Sequence, residues 1–492
     1  AAVPAQQTLE AGGLLDEILE KGGVREAQQK ENLTKAFKDW MSKVLEESDN
    51  IVDADAQKLL DDWIANIDQV VSAQLNEVMH DPKFQKLEAS WRGLKYLVDN
   101  TITGPDLRIK VLNVGREELA SDFEAAGAIE RSHMYHKIVE SEYGQAGGKP
   151  YGILIGDYEF GWKPEDLYLL REVGKIAAMA HAPFVGGVSP RMLDLDRFEE
   201  MKGPNTYADV FATGKQYIEW RDFRDSPDSR YVALTMPRVL SRLPYGKDTK
   251  KVAEFDYEEA VDGRDHTKYL WMNAAWAYAA RITDAFAKTG WLADTRGFEG
   301  GGKVEGLPVH LYRTDSGDLA QKCPTEIQIP DWRELELSNL GFLPLIHWKD
   351  TSYAVFMGAQ TSQKPKEYFG PDGVQATENA ALSAKLNYIL CVSRFAHFLK
   401  VLARRMIGRA ISRERLEEIL NEFIKTAVVE DPYKLPESER AKYPLKEARV
   451  EVQPVKGRPG WYEMKAWLLP HLHLEGLTAA MHLVSQLPAK KG

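Results

Sequence analysis

Apolar positions along the chain follow two rhythms. From residue 31 to 104 they recur at helical spacing: Leu33, Phe37, Trp40, Met41, Val44 and Leu45 make one stripe. Leu59, Trp63, Ile64, Ile67, Val70, Val71 and Val78 make a second, and Phe84, Leu87, Trp91, Leu94 and Val98 a third. The third opens at Asp81-Pro82, an N-cap followed by proline at the first helical position. A helical N-terminal region over 31–104 is therefore predicted. From residue 105 strand-like and helix-like stretches alternate. Leu107 to Val114, Tyr151 to Ile155, Pro183 to Val188 and Tyr231 to Thr235 read as strands, with helices near 116–142, 164–181 and 204–222 between them. A helix around Lys268 to Lys288 follows, then strand-like Pro308 to Arg313, Leu343 to Trp348 and Tyr353 to Met357. This predicts an α/β (α+β) domain over 105–374. A last domain, 375–492, opens with helices at Thr377 to Ile407 and Ser412 to Ala427.

The two ends of the chain differ from the middle. Ala448 to Val455 and Trp461 to Leu469 alternate with period two across Lys456-Gly457-Arg458-Pro459-Gly460, a hairpin signal. Terminal strands of this kind either complete a sheet of their own domain or offer an edge to a neighbour. Beyond them Met481 to Leu487 is again apolar. Within segment 1–30, Gly12-Gly13 and Gly22-Gly23 bracket a short helical pattern, with Leu14, Leu15, Ile18 and Leu19 on one face and Asp16, Glu17 and Glu20 on the other. So short a helix is marginal alone in water, which suggests an element that folds on a partner.

Composition narrows the class. At 492 residues with 44% hydrophobic content, the chain has the length for two or three domains. A net charge of −11 argues against a nucleic-acid backbone as main ligand. No run of about 18 apolar residues marks a membrane span, and Ala1 to Glu10 lacks a secretory pattern. Two cysteines, Cys323 and Cys391, cannot make a disulfide framework, so a reducing cytoplasm is expected.

Candidate chemistry adds little. His133 and His136 lie three apart on a predicted helix, but no HExxH or second cluster accompanies them. His471 and His473 share a strand face, a weak metal signal beside a structural role. Gly297-Phe298-Glu299-Gly300-Gly301-Gly302-Lys303 lacks P-loop spacing and reads as a surface loop. Gly186-Gly187-Val188-Ser189-Pro190 matches neither a dinucleotide fingerprint nor a nucleophile elbow, and Asp157 with Glu159 makes an acid pair without a base or metal set. No catalytic constellation, cofactor or metal site is predicted, and the leading reading is a structural subunit that polymerises. An α/β enzyme using loops near Gly156 or Gly186, and a monomeric adaptor presenting the Leu14–Leu19 helix, remain as alternatives.

Several segments together resemble the large subunit of the type VI secretion contractile sheath, the TssC/VipB family. They are Asp81-Pro82-Lys83-Phe84-Gln85-Lys86-Leu87-Glu88 into Trp91-Arg92-Gly93-Leu94-Lys95-Tyr96-Leu97, then Leu154 to Phe160, Gly186 to Pro190 and Leu234 to Leu240. Tyr269 to Ala277, Pro324-Thr325-Glu326-Ile327, Ser393 to His397 and Leu469-Pro470-His471 complete the set, spread over 81–488. The resemblance implies a phage-tail-sheath-like core whose terminal strands add to sheets of neighbouring subunits. It also implies a contracting polymer with the small sheath subunit (TssB/VipA) and further copies of the chain, around an Hcp inner tube and on a baseplate. On this resemblance the inter-subunit strand residues are Val450, Val452, Tyr462, Met464, Ala466 and Leu468. Leu14, Leu15, Asp16, Glu17, Ile18 and Leu19 match a helix recognised by a ClpV-type AAA+ ATPase. Arg413, Arg415, Glu417, Glu418 and Asn421 form the candidate tube-contact helix. Neither nucleic acid nor direct membrane insertion is expected.

Overall fold

In chain order the computed structural model runs α1 (Asp53–Met79), α2 (Pro82–Asp99), α3 (Arg116–Ala126), β1 (Leu154–Phe160), α4 (Pro164–Ala180), β2 (Phe184–Val188), α5 (Ile218–Asp225) and β3 (Val232–Met236). There follow β4 (Val239–Leu240), β5 (Trp271–Met272), α6 (Ala274–Thr289), β6 (Lys303–Val304), β7 (Leu311–Arg313), β8 (Leu319–Gln321), α7 (Asp331–Asn339), β9 (Leu343–Pro344), β10 (Ile346–His347) and β11 (Ala354–Val355). Last come α8 (Gly373–Ser383), α9 (Leu386–Met406), α10 (Arg413–Lys425), β12 (Leu445–Pro454) and β13 (Tyr462–Pro470). The structure describes Lys35 and residues 53–471, apart from 202, 204, 205, 254, 371, 372, 410 and 458–460. The Leu14–Leu19 helix, the 33–45 stripe, His473 and Met481 to Leu487 lie outside the described residues. The chain divides into two compact units, one of residues up to Leu75 with Glu254–Tyr257, the other of the remainder.

The larger unit is built on a parallel sheet of order β1-β2-β3-β9. Strands covered on both faces need no polar alternation, so β2 and β3 read as continuous apolar runs and are buried at every position. Phe184, Val188, Val232 and Leu234 point into one core with Leu167, Leu170 and Val173 of α4 and Trp220 and Phe223 of α5. There Trp220 stacks on Phe342, with ring centroids 5.4 Å apart. Val185, Ala233 and Leu343 point the other way, against Ala274, Ala277 and Tyr278 of α6. The backbone of α2 lies tight against α6: a Cβ added at Gly93 would come within 2.3 Å of the Trp276 ring.

Differences from the sequence expectation have local causes. Leu107 to Val114 is irregular, for no strand lies beside it among the described residues, and Val111 and Leu112 are exposed. The 116–142 helix stops after α3 at Gly127, in the left-handed region at φ 65°, and resumes at His133, running as a π-helix over His136–Gly144. The 204–222 helix divides into Ala208–Thr213 and α5 at Gly214. Thr377 to Ile407 breaks into α8 and α9 because the intervening backbone is claimed from outside: Thr361 N donates to Ala384 O and Leu386 N to Ala359 O.

The chain has no unbroken run of about 18 apolar residues, since Asn387, Arg394, His397 and Lys400 interrupt α9. By length and mean hydropathy alone, 1.3, that helix is nonetheless long and apolar enough to cross a membrane. Its apolar side chains serve the protein's own cores instead, Leu386 and Leu390 in the second and Cys391, Phe395 and Leu399 in a third. That third core is completed by Leu420 and Ile424 of α10 and by Leu445, Val450 and Val452 of β12.

Candidate assembly surfaces

Two surfaces stand out, a strand edge and a helix face. Among the described residues β12 and β13 form a two-stranded sheet, paired from Leu445–Pro470 to Pro454–Tyr462 with a shift between Leu445 and Glu447, and Leu445 alone also bridges Val428. Val455 N donates to Trp461 O at 2.8 Å, so the hydrogen-bonded pairs are Gln453–Glu463, Glu451–Lys465 and Arg449–Trp467. The residues between them turn their N–H and C=O groups away from the partner strand. These are Val450 and Val452 on β12, and Tyr462, Met464, Ala466 and Leu468 on β13, the six residues expected to be inter-subunit strands.

The two outer edges differ. That of β12 is closed by α10 of the same chain. The Asn421 amide accepts from Val450 N at 2.9 Å and donates to Val450 O at 2.8 Å, and Glu417 Oε2 accepts from Val452 N at 3.0 Å. Val450 and Val452 are also wholly buried, so their side chains serve the chain's own core. The outer edge of β13 carries no further strand among the described residues. Its Tyr462 and Ala466 are exposed, with Met464 and Leu468 half-buried against the third core.

The same contacts divide the candidate tube-contact set. Glu417 and Asn421 face inward and hold β12, whereas Arg413, Arg415 and Glu418 are exposed. Ser412 caps this helix by accepting from Arg415 N at 3.2 Å, and Leu420 and Ile424 anchor it.

On α2 the most apolar stripe faces outward. Phe84, Leu87, Trp91 and Val98 are 37%, 56%, 64% and 47% exposed. The inward face mixes small, apolar and charged groups, with Gly93, Leu97 and Tyr96 packed on the core. Beside Gly93 and Leu97, Glu88 accepts from Arg242 Nε at 2.8 Å, and Arg242 reaches Glu259 at 2.6 Å. Burial alone would raise the Glu88 carboxyl, but Arg242 and Arg92 hold it below the ordinary range. Helices usually bury their apolar stripe; here Gly93, Leu97, Tyr96 and a buried ion-pair network take the inward face, and the stripe Phe84–Val98 is left exposed.

The candidate catalytic features are structural. Asp157 accepts from Ser90 Oγ and from Trp276 Nε1, and burial raises its pKa. Glu159 is held bidentately by Arg238 at 2.6 and 2.7 Å. A Cβ at Gly156 would lie 2.4 Å from the Phe184 ring and one at Gly187 2.7 Å from Asn273 Nδ2, so these glycines permit packing. His133 bonds Asp122 at 2.7 Å and His136 bonds Glu140, each separately. No group of three or more His, Cys, Asp or Glu side chains suited to a metal occurs among the described residues.

Comparison with known proteins accords with a structural role. The family model of the EvpB/VC_A0108 tail sheath N-terminal domain matches residues 61–363, and that of the tail sheath gpW/gp25-like domain matches 375–487. The type VI secretion system sheath protein TssC1 of Pseudomonas aeruginosa is 43% identical over 488 residues, covering 99% of this chain and 96% of that one. Among solved structures, the anti-feeding prophage baseplate aligns at TM-score 0.42 and 11% identity over 80% of each chain. The contracted anti-feeding prophage sheath aligns at TM-score 0.28 and 12% identity over 64% of this chain and 66% of that one. Near-complete coverage at 43% identity and two successive sheath-domain matches establish that this chain belongs to the VipB/EvpB tail-sheath family of the type VI secretion system.

Proposed function

We propose that this sheath protein is the large subunit of a cytoplasmic contractile polymer, and that its work is mechanical rather than catalytic. The observation that carries this reading is the asymmetric hairpin: one edge is closed by Asn421 and Glu417, and the other lacks a strand partner among the described residues. A neighbouring subunit adds a strand along Tyr462, Met464, Ala466 and Leu468, giving directional main-chain bonds that survive rotation of the bodies they join. The exposed stripe Phe84, Leu87, Trp91 and Val98 is the docking face for the smaller sheath subunit, since it offers the aromatic and aliphatic anchors of an interface core. Arg413, Arg415 and Glu418 face an Hcp tube, and the Leu14–Leu19 helix is the handle for a ClpV-type ATPase.

Ala466→Pro tests the strand edge. Proline there removes only an outward N–H, leaving the β12–β13 bonds in place. Co-expressed with the small subunit, the parent chain is expected to form tubules in negative-stain micrographs and the variant none, although it folds. Normal tubules from Ala466→Pro would refute the edge assignment.

A further inference from the structure

An open cavity of about 500 Å³ is lined by residues of the π-helix His136–Gly144, the last turn of α4 and α9. Tyr135, Val139, Tyr143 and Met179 give it an apolar wall, and Glu130 and Glu140 supply two acids. Lys400 of α9 completes the lining, with its Nζ 3.1 Å from the centroid of the Tyr143 ring. That ring is fixed in place, packed 5.4 Å from His397 and 5.7 Å from His181, centroid to centroid. Arg404, one turn beyond Lys400, donates to the carbonyls of Tyr143, Gly144 and Gln145 at 3.3, 3.1 and 2.8 Å. The end of the π-helix is thus bound to α9, and the seat of the amine is part of the fold.

Lys110, which lies 5.1 Å over the Tyr151 ring, shows what is unusual here. It is also bonded to Glu142, and that bond raises its pKa. The Lys400 side chain has no hydrogen bond or ion pair among the described residues, and the Glu140 carboxylate beside its cavity is bound to His136. An aromatic face attracts an ammonium, but burial first, and then the like charge of Arg404, bring Lys400 down to about 8. About a tenth of it is then neutral amine at pH 7, against less than about a thousandth of an ordinary lysine. A partly desolvated amine of this kind is a nucleophile toward carbonyl compounds. Glu130 and Glu140 disfavour an anionic reagent, whereas the tyrosine rings and Met179 suit a neutral aromatic one. None of these residues belongs to the hairpin edge or the α2 stripe, so the cavity is an additional feature of the chain.

We propose that Lys400 is a covalent modification site, at which a neutral aromatic aldehyde held in this cavity forms an imine. The lone pair of the neutral amine attacks the carbonyl carbon, a C–N bond forms and the C=O π pair moves onto oxygen. One proton passes from nitrogen to that oxygen, giving a carbinolamine. Nitrogen then forms the second bond to carbon, and the hydroxyl departs with the C–O pair. It takes the remaining N–H proton and leaves as water, so amine and aldehyde give imine and water with no change of oxidation state.

Residue-resolved mass spectrometry of the purified full-length chain tests this. The chain is treated with benzaldehyde, the imine is trapped with cyanoborohydride, and labelling is timed at each lysine across a pH series. Lys400 is expected to label about tenfold or more faster than Lys110 at pH 7, with a midpoint well below the ~10.4 of a free lysine amine. Met179→Trp, which fills the cavity from its exposed wall, should slow benzaldehyde at Lys400 about fivefold or more. Formaldehyde, small enough to reach the same amine, should change less than about twofold in that variant. Should Met179→Trp fail to fold, the parent chain still decides: 4-carboxybenzaldehyde should favour Lys400 over Lys110 about threefold less than benzaldehyde does. A Lys400 midpoint at the free-lysine value, benzaldehyde labelling no faster than at Lys110, a folded Met179→Trp chain that labels like the parent, or equal preference with both aldehydes overturns the proposal.

Discussion

The central sheet and the terminal hairpin are both β structure, and they treat their edges and faces in opposite ways. The sheet is parallel, with α4 and α5 on one face and α6 on the other, so neither face meets water. The hairpin has one face on the third core and the other, with Arg449, Glu451, Lys465 and Trp467, largely in solvent. Among the described residues, only one of its two long edges is occupied by the same chain. An exposed strand edge is a hazard that folds ordinarily suppress, so an edge left open beside one closed by two side chains points to use. The comparison separates a body closed on both faces from a hairpin whose outer edge no described strand covers.

Three changes test how independent these regions are. The largest effect should come from the buried side. Trp220→Ala removes a fully buried indole stacked on Phe342 and should cost about 3–5 kcal/mol in denaturant unfolding. A loss below about 1 kcal/mol would mean that this face is not a close-packed core.

The next tests a buried charge in the same body. Burial raises the Glu326 carboxyl to about 7 despite Arg238 at 3.6 Å. Because the folded value lies above the unfolded one, near 4.5, the folded state binds the extra proton between the two. Its contribution is full below about pH 4.5 and is lost as pH rises through about 7. Glu326→Gln, which cannot titrate, should therefore gain on the parent by about 2 kcal/mol between pH 5 and pH 8 in paired urea titrations. A constant difference across that range would show that Glu326 titrates normally.

The smallest effect concerns the hairpin's closed edge. Asn421→Ala leaves the N–H and C=O of Val450 without partners, a cost of about 1–2 kcal/mol. Faster amide exchange should be confined to β12 and its neighbours, while β2 and β3 stay protected. Equal loosening of the central sheet would show that the two regions unfold as one.

Much of this architecture was legible in local pattern. The apolar runs at Phe184–Val188 and Val232–Met236, the period-two segments around residue 457 and the Ser412-capped helix all lie where spacing placed them. Each answers to a local rule of side-chain period, cap or turn. Dispersed motifs such as Asp81-Pro82 and Ser393-Arg394-Phe395-Ala396-His397 carried the family.

What the pattern could not carry was which way a face or an edge turns. The α2 stripe shows in sequence only as an apolar helix face; it turns outward because Gly93, Leu97 and the Glu88–Arg242–Glu259 ion pairs claim the other side. Asn421 and Glu417 read as surface polar residues, yet they close an edge 29 and 35 residues further along the chain. Sequence alone determined many of the elements and the family, because periodicity and turn chemistry act within a few residues. Tertiary structure decided which polar groups were used up inside the chain and which stayed open, because hydrogen-bond satisfaction and burial depend on partners far away in sequence.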